Sequence, residues 1–227
     1  MEEPQQQSPK LDLSDGIVVI GMDPSSYRNC GWSVVRFKNG KPELLAKFTQ
    51  VLTRPEADFG RLRDVYDSLQ KTIQDHKALV LCVERSMGGG LMFVRNNLSE
   101  TVGAAKLCCH DNQVKVHEIS PSHLKKVIAG HGKAKKRHIK ANIVATFGLD
   151  KAGPEHECDA TAFALCYLID AGWTGYEIKV PFSKNPKPMS GALVIKGKVP
   201  SSKPPKSRTG KQGDQDVPNP KDKVQAG

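Results

Sequence analysis

Two carboxylates stand in matching positions in this sequence. Asp23 closes the apolar run Gly16-Ile-Val-Val-Ile-Gly-Met22, and Glu84 closes the apolar run Ala78-Leu-Val-Leu-Cys-Val83. If both runs are strands and the strands are neighbours, the two acids lie about 5 Å apart. Acids that close repel each other unless a cation sits between them. A third acidic cluster reads Glu155-His-Glu-Cys-Asp159; on a helix, His156 and Asp159 are three residues apart and share a face. Oxygen ligands with one imidazole suit Mg²⁺, with Mn²⁺ able to substitute, better than a soft metal. Taken singly, these are an ordinary turn Asp, a strand-end Glu and two residues at a helix start. Taken together with a basic segment between them, they fit a metal-dependent nuclease better. That segment, His123 to Lys140, holds seven Lys/Arg and no acid. It is either a solvated helix face or a phosphate-binding patch, and composition alone does not choose between them.

The elements that must position these residues follow from periodicity. Residues 16–22 read as a buried strand ending in the turn cluster Asp23-Pro-Ser-Ser26. A second strand runs over 30–37, Asn39-Gly40 is a hairpin signal, and a third strand runs over 43–52. Phe59, Leu62, Val65, Tyr66, Leu69 and Ile73 recur at helical spacing, predicting one amphipathic helix over 56–76. A fourth strand over 78–83 then implies a parallel crossover. A Gly-rich loop over 85–94, a helix over 97–111 and a strand over 114–119 come next. Ser120-Pro121 opens a short helix, because proline is tolerated in a first turn. Gly130-His-Gly132 breaks it, and helices over 133–147 and 155–171 complete the order βββαβαβααα. The expected fold class is α/β, with a mixed sheet made of an antiparallel three-strand meander plus parallel strands, and helices on both faces.

The 227 residues carry a net charge of +10, and its distribution defines the expected domains. Residues 181–227 hold nine Lys and one Arg against three Asp, together with eight of the 15 prolines. Such a stretch cannot bury enough apolar surface to offset its ordering entropy, so it reads as a disordered basic tail. Residues 1–15 read as a disordered arm, which leaves 16–180 as one nearly balanced globular domain. No run approaches 18 apolar residues, so no membrane span is expected. The first residues have neither a signal-peptide nor a transit-peptide pattern. The six cysteines form no CxxC pair; Cys82 and Cys166, in apolar runs, read as buried thiols of a reducing compartment. A cytoplasmic location is expected, or a nuclear or organellar one in a eukaryote. Gly130-His-Gly-Lys133 is no P-loop, since no Ser/Thr follows the Lys and no strand leads into it. His156 and Cys158 lack a second ligand pair for zinc.

Four stretches, in order, carry a family resemblance. Ile20-Gly-Met-Asp23-Pro-Ser with Cys30-Gly-Trp-Ser-Val34 resembles the first strand and hairpin of the RuvC-type Holliday junction resolvases. Val83-Glu84, followed by Asn96-Asn-Leu-Ser99 and Gly103-Ala-Ala-Lys106, resembles their second acid and the helix after it. Ser120 to Lys136 is similar to their lysine-glycine segment along its whole length. His156-Glu-Cys-Asp159-Ala-Thr-Ala162 resembles their closing helix, where His156 stands at a position often occupied by Asp. The resemblance spans roughly residues 16 to 172. It implies an RNase H-like fold, a homodimer, and a four-way DNA junction as substrate, cut by paired symmetric nicks that leave 5′-phosphate and 3′-hydroxyl ends. It implies Asp23, Glu84, His156 and Asp159 as metal ligands for one or two Mg²⁺ ions, and Lys136 as a catalytic charge beside the scissile phosphate. Lys125, Lys126, Lys133, Lys135, Arg137 and Arg85 are the accompanying DNA-binding candidates. Phe93, from the loop after the second acid, is the candidate for insertion at the junction. The helix over 97–111, with Gly103, Ala104 and Ala105 beside Leu98, Val102 and Leu107, is the candidate dimer interface. Two other readings stay open: an RNase H-like nuclease acting on other branched DNA or on hybrids, and a junction-binding module that does not cut. Recombination or replication proteins are conceivable partners that the residues do not identify.

Overall fold

The structure, a computed structural model, describes residues 13–24, 28–53, 59–85 and 91–182, apart from the side chain of Phe93. Expectations for residues 1–12, for Gly88-Gly-Gly90 and for the tail from residue 183 lie outside these. The described elements are β1 (Val18–Asp23), β2 (Asn29–Lys38), β3 (Lys41–Val51), α1 (Gly60–His76), β4 (Val80–Glu84), α2 (Met92–Asp111), β5 (Lys115–Ile119), α3 (Pro121–Ala129), α4 (Lys136–Phe147) and α5 (Glu155–Asp170). Their order is the expected one.

The five strands form one sheet in the order β3-β2-β1-β4-β5. β1 pairs antiparallel with β2, and β2 with β3, while β1–β4 and β4–β5 are parallel. The β2–β3 turn places Asn39 and Gly40 at φ 53° and 74°, the left-handed pair that a two-residue hairpin requires. Both faces of the sheet are covered, which is why β1 and β4 are apolar up to their closing acids rather than alternating. Val18, Ile20, Met22, Trp32, Val34, Leu81 and Val83 face α1 and α2. Ile17, Val19, Val35, Val80, Cys82 and Ile119 face α3, α4 and α5.

Several boundaries differ from expectation. α2 begins at Met92, five residues before Asn97, so Phe93 stands in its first turn and not in a loop. The helix starts without a side-chain cap, so no Ser/Asn signal marks its first turn. α4 begins at Lys136 rather than Lys133 because Ala134 folds back, its N–H bonding to the His131 carbonyl. Phe59, counted on the buried stripe of α1, is the left-handed residue that precedes the helix and is 80% exposed. Packing also extends past both ends of 16–180: Leu13 joins the α5-side core, and Phe182 stacks on His131 with ring centroids 4.8 Å apart. Among the described residues, no helix is long and apolar enough to cross a membrane.

Candidate active site

Strand parity aims the two acids the same way. Asp23 follows Val19 and Gly21 along β1, and Glu84 follows Val80 and Cys82 along β4; in a strand, alternate residues share a face. Both acids therefore point to the side covered by α5. The β1–β4 register pairs Met22 with Val83, which sets Asp23 and Glu84 side by side at the ends of neighbouring strands.

Two glycines bring α5 onto those strand ends. A Cβ at Gly21 would lie 1.9 Å from the Ala160 carbonyl oxygen, and one at Gly31 would lie 2.1 Å from that of His156. Any side chain at either position would push the helix away. With glycine there, and Ala160, Ala162 and Ala164 fully buried on the helix, the N-terminus of α5 settles over Asp23. His156 Nδ1 lies 2.7 Å from Asp23 Oδ2. Asp159 sits one turn along. Lys136, the first residue of α4, reaches back to contact Glu155 and bonds Asp159 Oδ2 at 3.1 Å.

These groups line one cavity of about 380 Å³, together with Pro24, Leu98, Pro121, Leu124, Lys125, Ile139 and Phe163. Its electrostatics are those of crowded acids. Burial pushes the Asp23 carboxyl up to about 6, and the charge of Asp159 adds to the rise, against the lowering hydrogen bond from His156. Burial, then the charges of Asp23 and Asp159, also raise Glu84. Burial works to lower Lys136, but its bonds to Glu155 and Asp159 outweigh it and hold the ammonium above the ordinary lysine range. The same Lys136 contact holds Glu155 below the usual carboxylate range. Three carboxylates and an imidazole around one cavity, with two acids raised by burial and by neighbouring carboxylates, are a donor set matched to a hard divalent cation.

The sequence-derived residues are placed as follows. Asp23, Glu84, His156, Asp159, Lys136 and Lys125 meet at the cavity. Lys126, Lys133, Lys135 and Arg137 are exposed on α3, α4 and the turn between them. Arg85 is exposed directly after Glu84, its backbone N–H bonded to the Ile119 carbonyl. Of the residues named for an interface on α2, Val102 and Ala105 are buried in the core against the sheet and α1 and cannot meet a partner, and Leu98 lines the nuclease cavity instead; Gly103 and Leu107 are exposed, and Ala104 is half-buried beside them. Sequence reasoning missed two things. One is Glu155 as a partner of Lys136, although it stood in the acidic cluster. The other is the pair Gly21 and Gly31, whose signal was a glycine inside each of two buried strands.

The comparisons with known proteins bear on this geometry. The family model described as crossover junction endodeoxyribonuclease RuvC matches residues 19–167. The chain belongs to the RuvC family. The RuvC of Corynebacterium diphtheriae is 31% identical over 150 residues, covering 65% of this chain and 91% of that protein. The Thermus thermophilus RuvC solved with a Holliday junction substrate is 25% identical with a TM-score of 0.61, covering 66% of this chain and 92% of that one. The yeast mitochondrial Holliday junction resolvase, 15% identical with a TM-score of 0.50 over 71% of this chain and 82% of that one, shares the fold. The mixed sheet with helices on both faces is thus the RNase H-like architecture of RuvC, and the matched span contains all three site carboxylates and His156.

Proposed function

We propose that this RuvC-family endodeoxyribonuclease resolves four-way DNA junctions by paired symmetric nicks, using Asp23, Glu84, His156 and Asp159 to hold one or two Mg²⁺ ions. The observation that carries the reading is the convergence of three mutually repelling carboxylates in one cavity rimmed by lysines. A pure binder has no reason to cluster negative charge where a phosphate must approach. When bound, Mg²⁺ supplies an activated water and stabilises the leaving 3′-oxygen of an in-line displacement, which leaves 5′-phosphate and 3′-hydroxyl ends.

The chain's own residues do the rest. Asp23 and Glu84 are the acids fixed by the sheet. His156 and Asp159 close the site from α5, held there by the glycine contacts. Lys136 bonds to Asp159 in the free protein and lines the cavity that a phosphate would enter, where it offsets charge building up in the transition state. Lys125, on the cavity wall, and the exposed Lys126, Lys133, Lys135, Arg137 and Arg85 hold the backbone phosphates. Phe93 remains the candidate for insertion at the crossover, now from the first turn of α2.

Two cuts related by symmetry call for two active sites related by a two-fold axis, hence a homodimer. An exposed apolar groove between α1 and α2 supports it, lined by Phe59, Leu62, Tyr66, Gly103, Ala104 and Leu107. With DNA as substrate, the protein works where that DNA is: in the cytoplasm, or in the nucleus or an organelle of a eukaryote. The test of the metal reading is junction cleavage after exhaustive chelation, then with added divalent ions. Activity should vanish with chelator and return with Mg²⁺ or Mn²⁺; full activity in chelator would refute it.

A further inference from the structure

Away from the nuclease cavity, three donors of different chemistry converge where α3 crosses the end of α5. His123 Nε2 lies 3.0 and 2.9 Å from the two Asp170 oxygens, and Cys166 Sγ lies 3.6 Å from Asp170 Oδ2. One ligand atom from each residue falls within 4.8 Å of the others. Cys166 and Asp170 stand four residues apart on α5, so they share a face, and His123 faces them from the first turn of α3. His117 on β5 is near enough to feel the charges of both His123 and Asp170.

Neither local structure nor the nuclease chemistry accounts for this arrangement. Asp170 is the last residue of α5, the end of a helix at which a negative charge is unfavourable, and that turn contains no basic residue. Its neighbour is a fully buried thiol. Eleven residues separate Asp170 from Asp159 on one helix, about 16 Å at the usual rise, so the cluster is separate from the cavity. A thiolate, an imidazole and a carboxylate form a mixed S, N, O set, which suits a borderline cation and not Mg²⁺. With each ligand atom within 4.8 Å of the others, the three are close enough to share one Zn²⁺, whose S and N ligands lie at about 2.3 and 2.0 Å.

We propose that His123, Cys166 and Asp170 form a structural transition-metal site, selective for Zn²⁺, that bolts α3 to α5. Binding displaces the thiol proton to solvent, and the Cys166 thiolate, His123 Nε2 and one Asp170 oxygen take three positions. The half-exposed His123 side leaves the fourth open to water. The bolt joins the helix bearing Lys125 to the helix bearing His156 and Asp159, so it steadies two walls of the cavity without touching DNA.

The experiment uses the full chain, stripped of metal and titrated with Co²⁺ as a spectroscopic stand-in for Zn²⁺. A thiolate-to-cobalt charge-transfer band should grow to one equivalent, persist in Asp23→Asn, and vanish in Cys166→Ser. Competition against a chromophoric chelator should show His123→Gln weakening Zn²⁺ binding beyond the roughly 10–100-fold typical of outer-shell losses. His123 lies at the surface, so this variant carries the test even if Cys166→Ser fails to fold. Absence of the band in the wild type, its survival in Cys166→Ser, or unchanged Zn²⁺ affinity in His123→Gln would each overturn the proposal.

Discussion

Asp23 is the residue on which the account turns, because it is both the acid aimed by β1 and the one whose charge the fold makes costly. Removing that charge while keeping its shape should abolish cleavage and leave junction binding intact, and the same holds for Glu84. Asp23→Asn or Glu84→Gln retaining activity within about tenfold, roughly 1.4 kcal/mol of barrier, would show that the residue is no metal ligand. The raised value also has a consequence for stability. The folded Asp23 binds its proton more tightly than the ordinary carboxyl at 3.8, so its favourable contribution is full below 3.8 and is lost as pH rises through about 6. Ionisation at neutral pH therefore costs at most about 3 kcal/mol in metal-free protein. Asp23→Asn escapes that cost. Thermal unfolding in chelator should show the variant gaining several degrees on the wild type at pH 7, and much less at pH 4.5. An equal difference at both values would contradict the assignment of that charge to a crowded site.

At the scale of elements, the site exists because a helix can touch a sheet without a side chain between them. Gly31→Ala would place a methyl carbon where the His156 carbonyl now lies. The expected cost is about 1–3 kcal/mol of stability, typical of overpacking, with a further loss of cleavage as His156 and Asp159 move off the strand ends. Equilibrium denaturation and a cleavage assay on the same preparation check both; a variant as stable and active as wild type would show that α5 can settle elsewhere. Much of this was legible in the sequence. Apolar runs ending in Asp23 and Glu84 marked the strands, and period-2 geometry aims both acids the same way once the strands pair. The three-residue spacing of His156 and Asp159 marked the shared helix face. The Lys136–Glu155 contact was not legible, because it depends on how α4 and α5 approach. Nor was the start of α2, whose first turn has no cap to announce it. The convergence of Cys166 with His123 was hidden too, since α3 and α5 lie far apart in the chain and only packing unites them.

On the proposed reading, a second copy of the chain brings a second such site to the same junction. The apolar groove on α1 and α2, with Leu107 57% exposed and open space above Gly103, is the surface expected to close on a second copy. Ala104→Glu should yield a monomer by light scattering that nicks junctions without coordinated paired cuts. Wild-type protein that is monomeric both free and on a junction would end the paired-cleavage reading.

The central claim is junction selectivity, and the most direct measurement is cleavage of four-way, three-way, flap and linear duplex DNA side by side in Mg²⁺. The account predicts symmetric nicks in the four-way junction, with ends that religate, and little cutting of linear duplex. Equal cutting of linear duplex, or an uncut four-way junction, would contradict it.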